Sequence, residues 1–300
     1  MNDERLLREL RAELAEGGLS GSFLVRDVRT GEETGIEPDT EMPLASLVKI
    51  PLAVAVWERI ADGRLDGGAM VDIEPGRTTM PGPTGLTRFR HPARVAVEDL
   101  LYLALCISDN TATDALFGLV PPEEVNRTMR EAELPGITLR HRMHDLGETP
   151  AARFGSAETH LAHSLAIESR TPTRGHRVPQ LDTSRANSGT ARALADLLTA
   201  LWTPGRLPEE VAAPVRSLLE NNLIRQRLAP DFASDASRWA SKTGTLLNLR
   251  HEAGVVVHED GDTFAVVALT ESSVPAAAQP AAEALMARVA RALHDQLRDR

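Results

Sequence analysis

Glu252-Ala-Gly-Val-Val-Val-His-Glu-Asp-Gly-Asp-Thr-Phe-Ala-Val-Val-Ala-Leu269 reads as two strands joined by a turn. Valine and phenylalanine favour a pleated, half-buried surface, and Glu-Asp-Gly between Glu252–His258 and Thr263–Leu269 is a hairpin signal. Arg238 to Thr245 supplies a third strand just upstream. The remaining strand-like stretches lie at the other end of the chain: Ser22 to Val28, a turn at Thr30-Gly31, and a short strand from Glu33 to Ile36. Between the two ends the sequence reads as helix and loop. Helical runs are expected over Ser46–Ala61, Val95–Ile107, Thr111–Leu119, Pro121–Glu131 and Glu209–Asn221, with a further run to Trp202 that Ser188 would cap. Leu6, Leu10 and Leu14 mark an amphipathic helix ending at Gly17-Gly18, and Leu285, Val289 and Leu293 mark a closing helix from Ala281 to Gln296.

Strands at both ends and helices between them point to an α/β (α+β) fold. The simplest assembly is one antiparallel sheet built from both chain ends and covered by the terminal helices, with a mostly helical domain inserted. The expected division is residues 1–45 and 205–300 as a discontinuous α/β domain and 46–204 as the insert. Residues 136–187 sustain no period and are expected to form an elongated loop region.

Composition narrows the function. The chain has 300 residues, 42% apolar and 25% charged, as a soluble globular protein does. Its longest apolar runs, Ile50–Trp57 and Leu100–Ile107, fall short of the roughly twenty residues that a membrane span needs. Few aromatics argue against base stacking, and a net charge of −10 disfavours polyphosphate binding. The expected partner is a small molecule, neither nucleic acid nor membrane. The stretch from Met1 to Gly18 lacks the apolar core of a secretory signal, so a cytoplasmic location is expected, although a trimmed secreted domain would read the same. Cys106 sits in an apolar run and is expected to be a buried small hydrophobe.

Of 33 basic side chains only two are lysines, Lys49 and Lys242. Wherever a positive charge suffices, this chain uses arginine. The two lysines therefore mark positions where arginine would fail. A lysine can be brought towards neutrality by burial and neighbours, whereas arginine cannot.

Both lysines fall in chemically suggestive settings. Ser46-Leu-Val-Lys49 opens a long helix, and a spacing of three puts the hydroxyl and the amine on one face. Ser46 would have its own amide free at the positive end of the helix dipole, which suits a nucleophile whose attack generates an oxyanion. A neutral Lys49 could take the hydroxyl proton. Ser108-Asp109-Asn110 follows the second apolar helix and offers a relay hydroxyl and an amide that both donates and accepts. Lys242-Thr243-Gly244-Thr245 lies on the first strand of the carboxyl-terminal sheet. It joins a cation, two hydroxyls and a glycine that lets backbone approach closely, a cradle for an anionic group. The Thr245 amide could complete an oxyanion hole. Both lysines would meet such contexts by chance on the order of one time in a thousand.

Ser-x-x-Lys, Ser-Asp-Asn and Lys-Thr-Gly in this order resemble the signature of class A β-lactamases and of penicillin-binding proteins with the same fold. The resemblance runs from the strand at Ser22 to the closing helix. It implies that Ser46 is acylated, Lys49 assists as base or hydrogen-bond partner, Ser108 passes a proton to the leaving nitrogen, and Lys242 polarises Ser108 and attracts the substrate carboxylate. It implies substrate binding by Asn110, Thr243, Gly244 and Thr245. Arg250 on the next strand is a candidate second carboxylate anchor. The class C pattern needs Tyr-x-Asn, but the sole tyrosine, Tyr102, precedes Leu103-Ala104.

One part of the pattern is missing. Class A enzymes carry a loop near Arg-x-Glu-Pro-Glu-Leu-Asn whose glutamate activates the deacylating water. The stretch from Leu139 to Pro150 lacks it. Arg142-Met-His144 could occupy the Arg-x-Glu place, which makes His144 one candidate and Glu148 the other. Glu158 and Glu168 are weaker candidates. His141/His144 and His160/His163 are i, i+3 pairs in the same region, but solvated loop histidines explain them better than a metal site, so no metal and no cofactor is expected. The expected function is a serine hydrolase that forms an acyl-enzyme on Ser46 with a β-lactam or a related carboxylate-bearing amide or ester. Two readings stand beside it: a cytosolic peptidase, esterase or acyltransferase with weak β-lactamase activity, and a non-turnover binder of β-lactams or peptidoglycan fragments.

Overall fold

The computed structural model describes residues 2–74, 84–148, 158–168, 175–275 and 278–300. Its strands in chain order are β1 (Leu19–Asp27), β2 (Glu33–Ile36), β3 (Met42–Pro43), β4 (Met70–Ile73), β5 (Ala93–Ala96), β6 (Ile137–Thr138), β7 (Ser188–Gly189), β8 (Ser237–Leu246), β9 (Leu249–His258) and β10 (Thr263–Ser272). Its helices are α1 (Asn2–Glu16), α2 (Lys49–Ala61), α3 (Val97–Cys106), α4 (Asn110–Leu119), α5 (Pro122–Glu131), α6 (Thr159–Ile167), α7 (Ala191–Trp202), α8 (Glu209–Glu220), α9 (Ala229–Phe232) and α10 (Pro280–Arg298).

The two ends of the chain share one antiparallel sheet of order β2-β1-β10-β9-β8. β1 registers against β10 with Phe23 opposite Ala268, and β9 joins β10 through the hairpin read from the sequence. Gly261 adopts φ +94° in that turn, a backbone region that strains any residue with a Cβ.

Alternation along β8 and β9 divides the sheet into two faces. Ala240, Leu246, Leu249, Ala253 and Val255 pack with α2, α3, α7 and α8. Trp239 and Val256 face the other way, with Leu10 and Leu14 of α1 and Leu285, Val289 and Leu293 of α10. Lys242 and Gly244 follow the parity of Ala240, so they face the helical side. Thr243 and Thr245 follow that of Trp239. The expected fold class holds, with the sheet between the terminal helices and the helical region.

Three local boundaries differ from the sequence reading. α2 begins at Lys49, and Ala45–Val48 is a 3-10 turn instead of the first turn of an α-helix. Pro51 then falls in the first turn of α2, where its missing amide costs no helical hydrogen bond. Thr190, not Ser188, caps α7 through Ala193 N at 3.0 Å, while Ser188 pairs with Pro43 and Thr138. Within 136–187, the stretch read as loop, α6 forms over nine residues with Ala162 and Ala166 buried.

Candidate active site

The chain reaches Ser46 through a constrained turn. Ala45 has φ +48°, an uncommon value for a residue with a Cβ, and the 3-10 turn that follows carries Ser46 half-buried. Two contacts fix the approach. The buried His251 donates Nε2–H to Pro43 O at 2.9 Å and accepts Thr270 N–H at Nδ1 at 3.0 Å, which sets its tautomer. Burial first of all pushes this imidazole down to about 4, so it stays neutral. Gly244 provides the second contact. A Cβ there would lie 2.9 Å from Leu44 O and 3.3 Å from Leu47 Cγ, so only glycine lets the Ser46 turn sit against β8. The sequence reading gave Gly244 the task of close backbone approach. The backbone that approaches is this chain's own.

Lys49 and Lys242 arrive from distant parts of the chain and meet at Ser108. Lys49 Nζ donates to Ser108 O at 2.9 Å, Ser108 Oγ at 3.1 Å and Asn110 Oδ1 at 2.9 Å. Lys242 Nζ donates to Ser108 Oγ at 3.0 Å and Thr243 O at 3.1 Å. Both side chains are fully buried. Burial, then the charge of Lys242, lowers Lys49 well below an ordinary lysine, against the opposing pull of Asp109 and Asp114. Burial, then Arg227, brings Lys242 down to about 7. Three acceptors surround the Lys49 nitrogen, two on Ser108 and one on Asn110. Among the described residues no hydrogen bond joins Lys49 to Ser46. The 3-10 geometry of residues 45–48 replaces the helical one from which the spacing of three was read.

Ser108 itself has φ +58°, a left-handed backbone that costs a serine about 1–3 kcal/mol and persists only when surroundings enforce it. Asp109 does the enforcing. It is fully buried, caps α4 through Thr111 N at 2.9 Å and Ala112 N at 3.1 Å, and also accepts the amide of Leu86. Burial raises its carboxyl above the usual range, opposed by these amides. One acidic side chain thereby fixes the end of α3, the start of α4 and the turn at Gly85–Arg88.

The Thr243 and Thr245 hydroxyls lie on the back of β8. Thr243 Oγ1 donates to Ile224 O at 2.9 Å, and Thr245 Oγ1 accepts from Arg227 Nη2 at 2.6 Å. Arg227 is buried, donates Nη1 to Gly244 O at 2.8 Å and His251 O at 2.7 Å, and pairs through Nε with Glu283 of α10 at 3.0 Å. The Arg227 guanidinium thus reaches the Lys-Thr-Gly-Thr strand. Arg250 is also buried, and its Nη1 donates to Leu247 O at 2.6 Å and Leu249 O at 2.7 Å, bracing the β8–β9 turn.

Further along α4, Asp114 lies one helical turn beyond Asn110. Its Oδ1 accepts Met143 N–H at 2.7 Å and tethers the 3-10 turn Met143–Glu148. Burial raises this carboxyl to about 6. His144, at the surface, lies between two carboxylates, with Nδ1 3.7 Å from Asp114 Oδ2 and Nε2 3.0 Å from Asp145 Oδ1. The side chain of Glu148 lies outside the described residues. Glu158 stands exposed before α6, and Glu168 pairs with Arg177 at 3.1 Å. Among the described residues, no three metal-ligating side chains gather.

Residues 5–297 match the model of the β-lactamase enzyme family. The chain belongs to that family. It is 63% identical over 310 residues to the β-lactamase regulatory protein BlaB of Streptomyces cacaoi, with 100% of this chain and 99% of the relative covered. It superposes on the structure of PBP-A with a TM-score of 0.76 and 17% identity, covering 99% of this chain and 97% of that one. It superposes on a β-lactamase from Sphaerobacter thermophilus with a TM-score of 0.75 and 23% identity, covering 97% and 96%. At such identities the two structures speak for the fold.

Within this β-lactamase-family chain, sequence reading overlooked Arg227, His251, Glu252 and Asp114. None stands in a short motif. Asp114 lies four residues after Asn110, a helical spacing from which it could have been noticed. His251 and Glu252 are placed by strand pairing and Arg227 by the segment between α8 and α9, which single-sequence spacing does not reveal.

Proposed function

We propose that the chain is an acyl-serine regulatory protein: Ser46 takes up the acyl group of a carboxylate-bearing amide, a β-lactam among them, and keeps it instead of turning it over. The observation that carries this reading is the convergence of two buried lysines on the Ser108 hydroxyl, at 3.1 and 3.0 Å. When substrate enters, neutral Lys49 takes the Ser46 proton as the hydroxyl oxygen bonds to the carbonyl carbon. The carbon–nitrogen bond then breaks, and the proton reaches the leaving nitrogen through Ser108. Lys242, still an ammonium below about pH 7, polarises Ser108 and attracts the substrate carboxylate. Arg227 strengthens that anion site through Thr245. The Ser46 and Thr245 amides receive the oxyanion.

Retention of the acyl group is favoured by the loop side. The stretch from Leu139 to Pro150 lacks the glutamate-bearing loop sequence of class A enzymes. The 63% identity to a regulatory protein supports the same conclusion. The test is incubation with a fluorescent penicillin, followed by intact mass over time. The expected outcome is an adduct that persists for hours and is absent in Ser46→Ala. A transient adduct would restore the hydrolase reading, and labelling of the alanine variant would remove Ser46 as nucleophile. No adduct in the native chain would remove β-lactams from its acyl donors.

A further inference from the structure

The back of β8 carries a buried carboxylate that the chemistry above does not use. Glu252 lies in the middle of β9 and is fully buried. The register pairs it with Thr243, so it stands on the opposite face of the sheet from Lys242. Its Oε1 accepts from Ser241 Oγ at 2.6 Å and Trp239 Nε1 at 2.9 Å. Its Oε2 accepts the amides of Leu228 at 2.8 Å and Arg227 at 3.2 Å. Four donors serve the two oxygens. Such a donor set fits an anion, because the amide of a glutamine would turn two hydrogens against two donors.

The charges around Lys242 make this carboxylate more than a staple. Burial and the charge of Arg227, which reaches β8 from the back, disfavour the Lys242 proton. Cys106 of α3 is nearby, but burial pushes its thiol up to about 11, so it is neutral at pH 7. Glu252 is the buried anion that opposes Arg227 at Lys242. It also grips the main chain of Arg227, the residue whose guanidinium reaches Gly244 and Thr245.

We infer that Glu252 is a positioning residue for acylation: from behind β8 it fixes the Arg227 backbone and holds Lys242 in its ammonium form. The inference rests on the acyl-transfer reading above. Without the carboxylate, burial and Arg227 act on Lys242 unopposed, and its proton leaves at a lower pH. The anion-attracting charge beside Ser108 is then lost within the neutral range.

With only two lysines in the chain, isotope-labelled lysine gives two side-chain signals that titrate in NMR without any substrate. In Glu252→Gln one midpoint, that of Lys242, is expected to fall by about one pH unit, and the alkaline limb of the acylation profile should move with it. Above pH 7 that is a roughly tenfold loss of acylation rate. Ser241→Ala removes one donor from the same network and keeps the charge, so the midpoint should stay. An unmoved midpoint in Glu252→Gln, or an equal movement in Ser241→Ala, overturns the inference. Should Glu252→Gln fail to fold, Arg227→Gln reads the same balance with opposite sign: the Lys242 midpoint rises, and one that stays overturns the charge coupling. A moving midpoint in a protein that acquires no acyl group at any pH would refute the acyl-transfer reading and leave the coupling standing.

Discussion

At the start of α4, two buried amines from distant segments close on a single serine hydroxyl, and a buried aspartate holds that serine in a left-handed backbone. One turn further along the helix, one carboxylate tethers the amide of Met143, and an exposed imidazole rests between Asp114 and Asp145. The first region is preorganised: its amines are desolvated, held in place and directed at the Ser108 hydroxyl. The second is a tether, in which Asp114 Oδ1 is committed to Met143 and Oδ2 is buried without a hydrogen-bond partner among the described residues. Under the proposed function, bond making at Ser46 and release from Ser46 rest on these two neighbouring regions.

Three measurements would break or sharpen this contrast. The largest effect is expected at Lys49. Replacement by arginine retains charge but removes the ability to become neutral, so Lys49→Arg should slow adduct formation about as much as Lys49→Ala, by about a thousandfold. An arginine variant within tenfold of native would show that charge alone is the task. Next comes Asp109→Ala, which orphans the amides of Leu86, Thr111 and Ala112 and releases the strained Ser108. Denaturant unfolding should report a loss of about 3 kcal/mol. A loss below about 1 kcal/mol would mean that the strain is held elsewhere. The smallest effect is expected at His144, where alanine should change both acylation rate and adduct lifetime by less than about twofold. A tenfold longer adduct lifetime in that variant would make His144 the water-activating base and erase the contrast.

The site residues that could be read in advance share a property: their chemistry demands one residue type at a fixed offset. A nucleophile, an amine three positions on and a cation beside a glycine are such demands, and the scarcity of lysine made two of them conspicuous. The sheet was legible for a similar reason, since Val-rich strands and a Glu-Asp-Gly turn leave few alternatives. What escaped is set by pairing across strands. Glu252 acquires its partners because β9 registers it against Thr243, and Arg227 because the segment after α8 folds over the back of β8. Ser46 shows a different limit. Four residues that look like the opening of an α-helix form a tighter turn, because a proline two positions after Lys49 is best accommodated when the α-helix starts at Lys49. That shift sends the Lys49 amine towards Ser108 and Asn110.

Both lysine side chains are enclosed, and there are no others. The folded exterior accordingly offers no lysine handle: apart from the α-amino group, amine-directed crosslinkers, acetylating reagents and enzymes that conjugate to lysine find arginine and carboxylate instead. A tag on either lysine side chain would report that the core had opened, which turns a commonplace bench reagent into a gauge of unfolding.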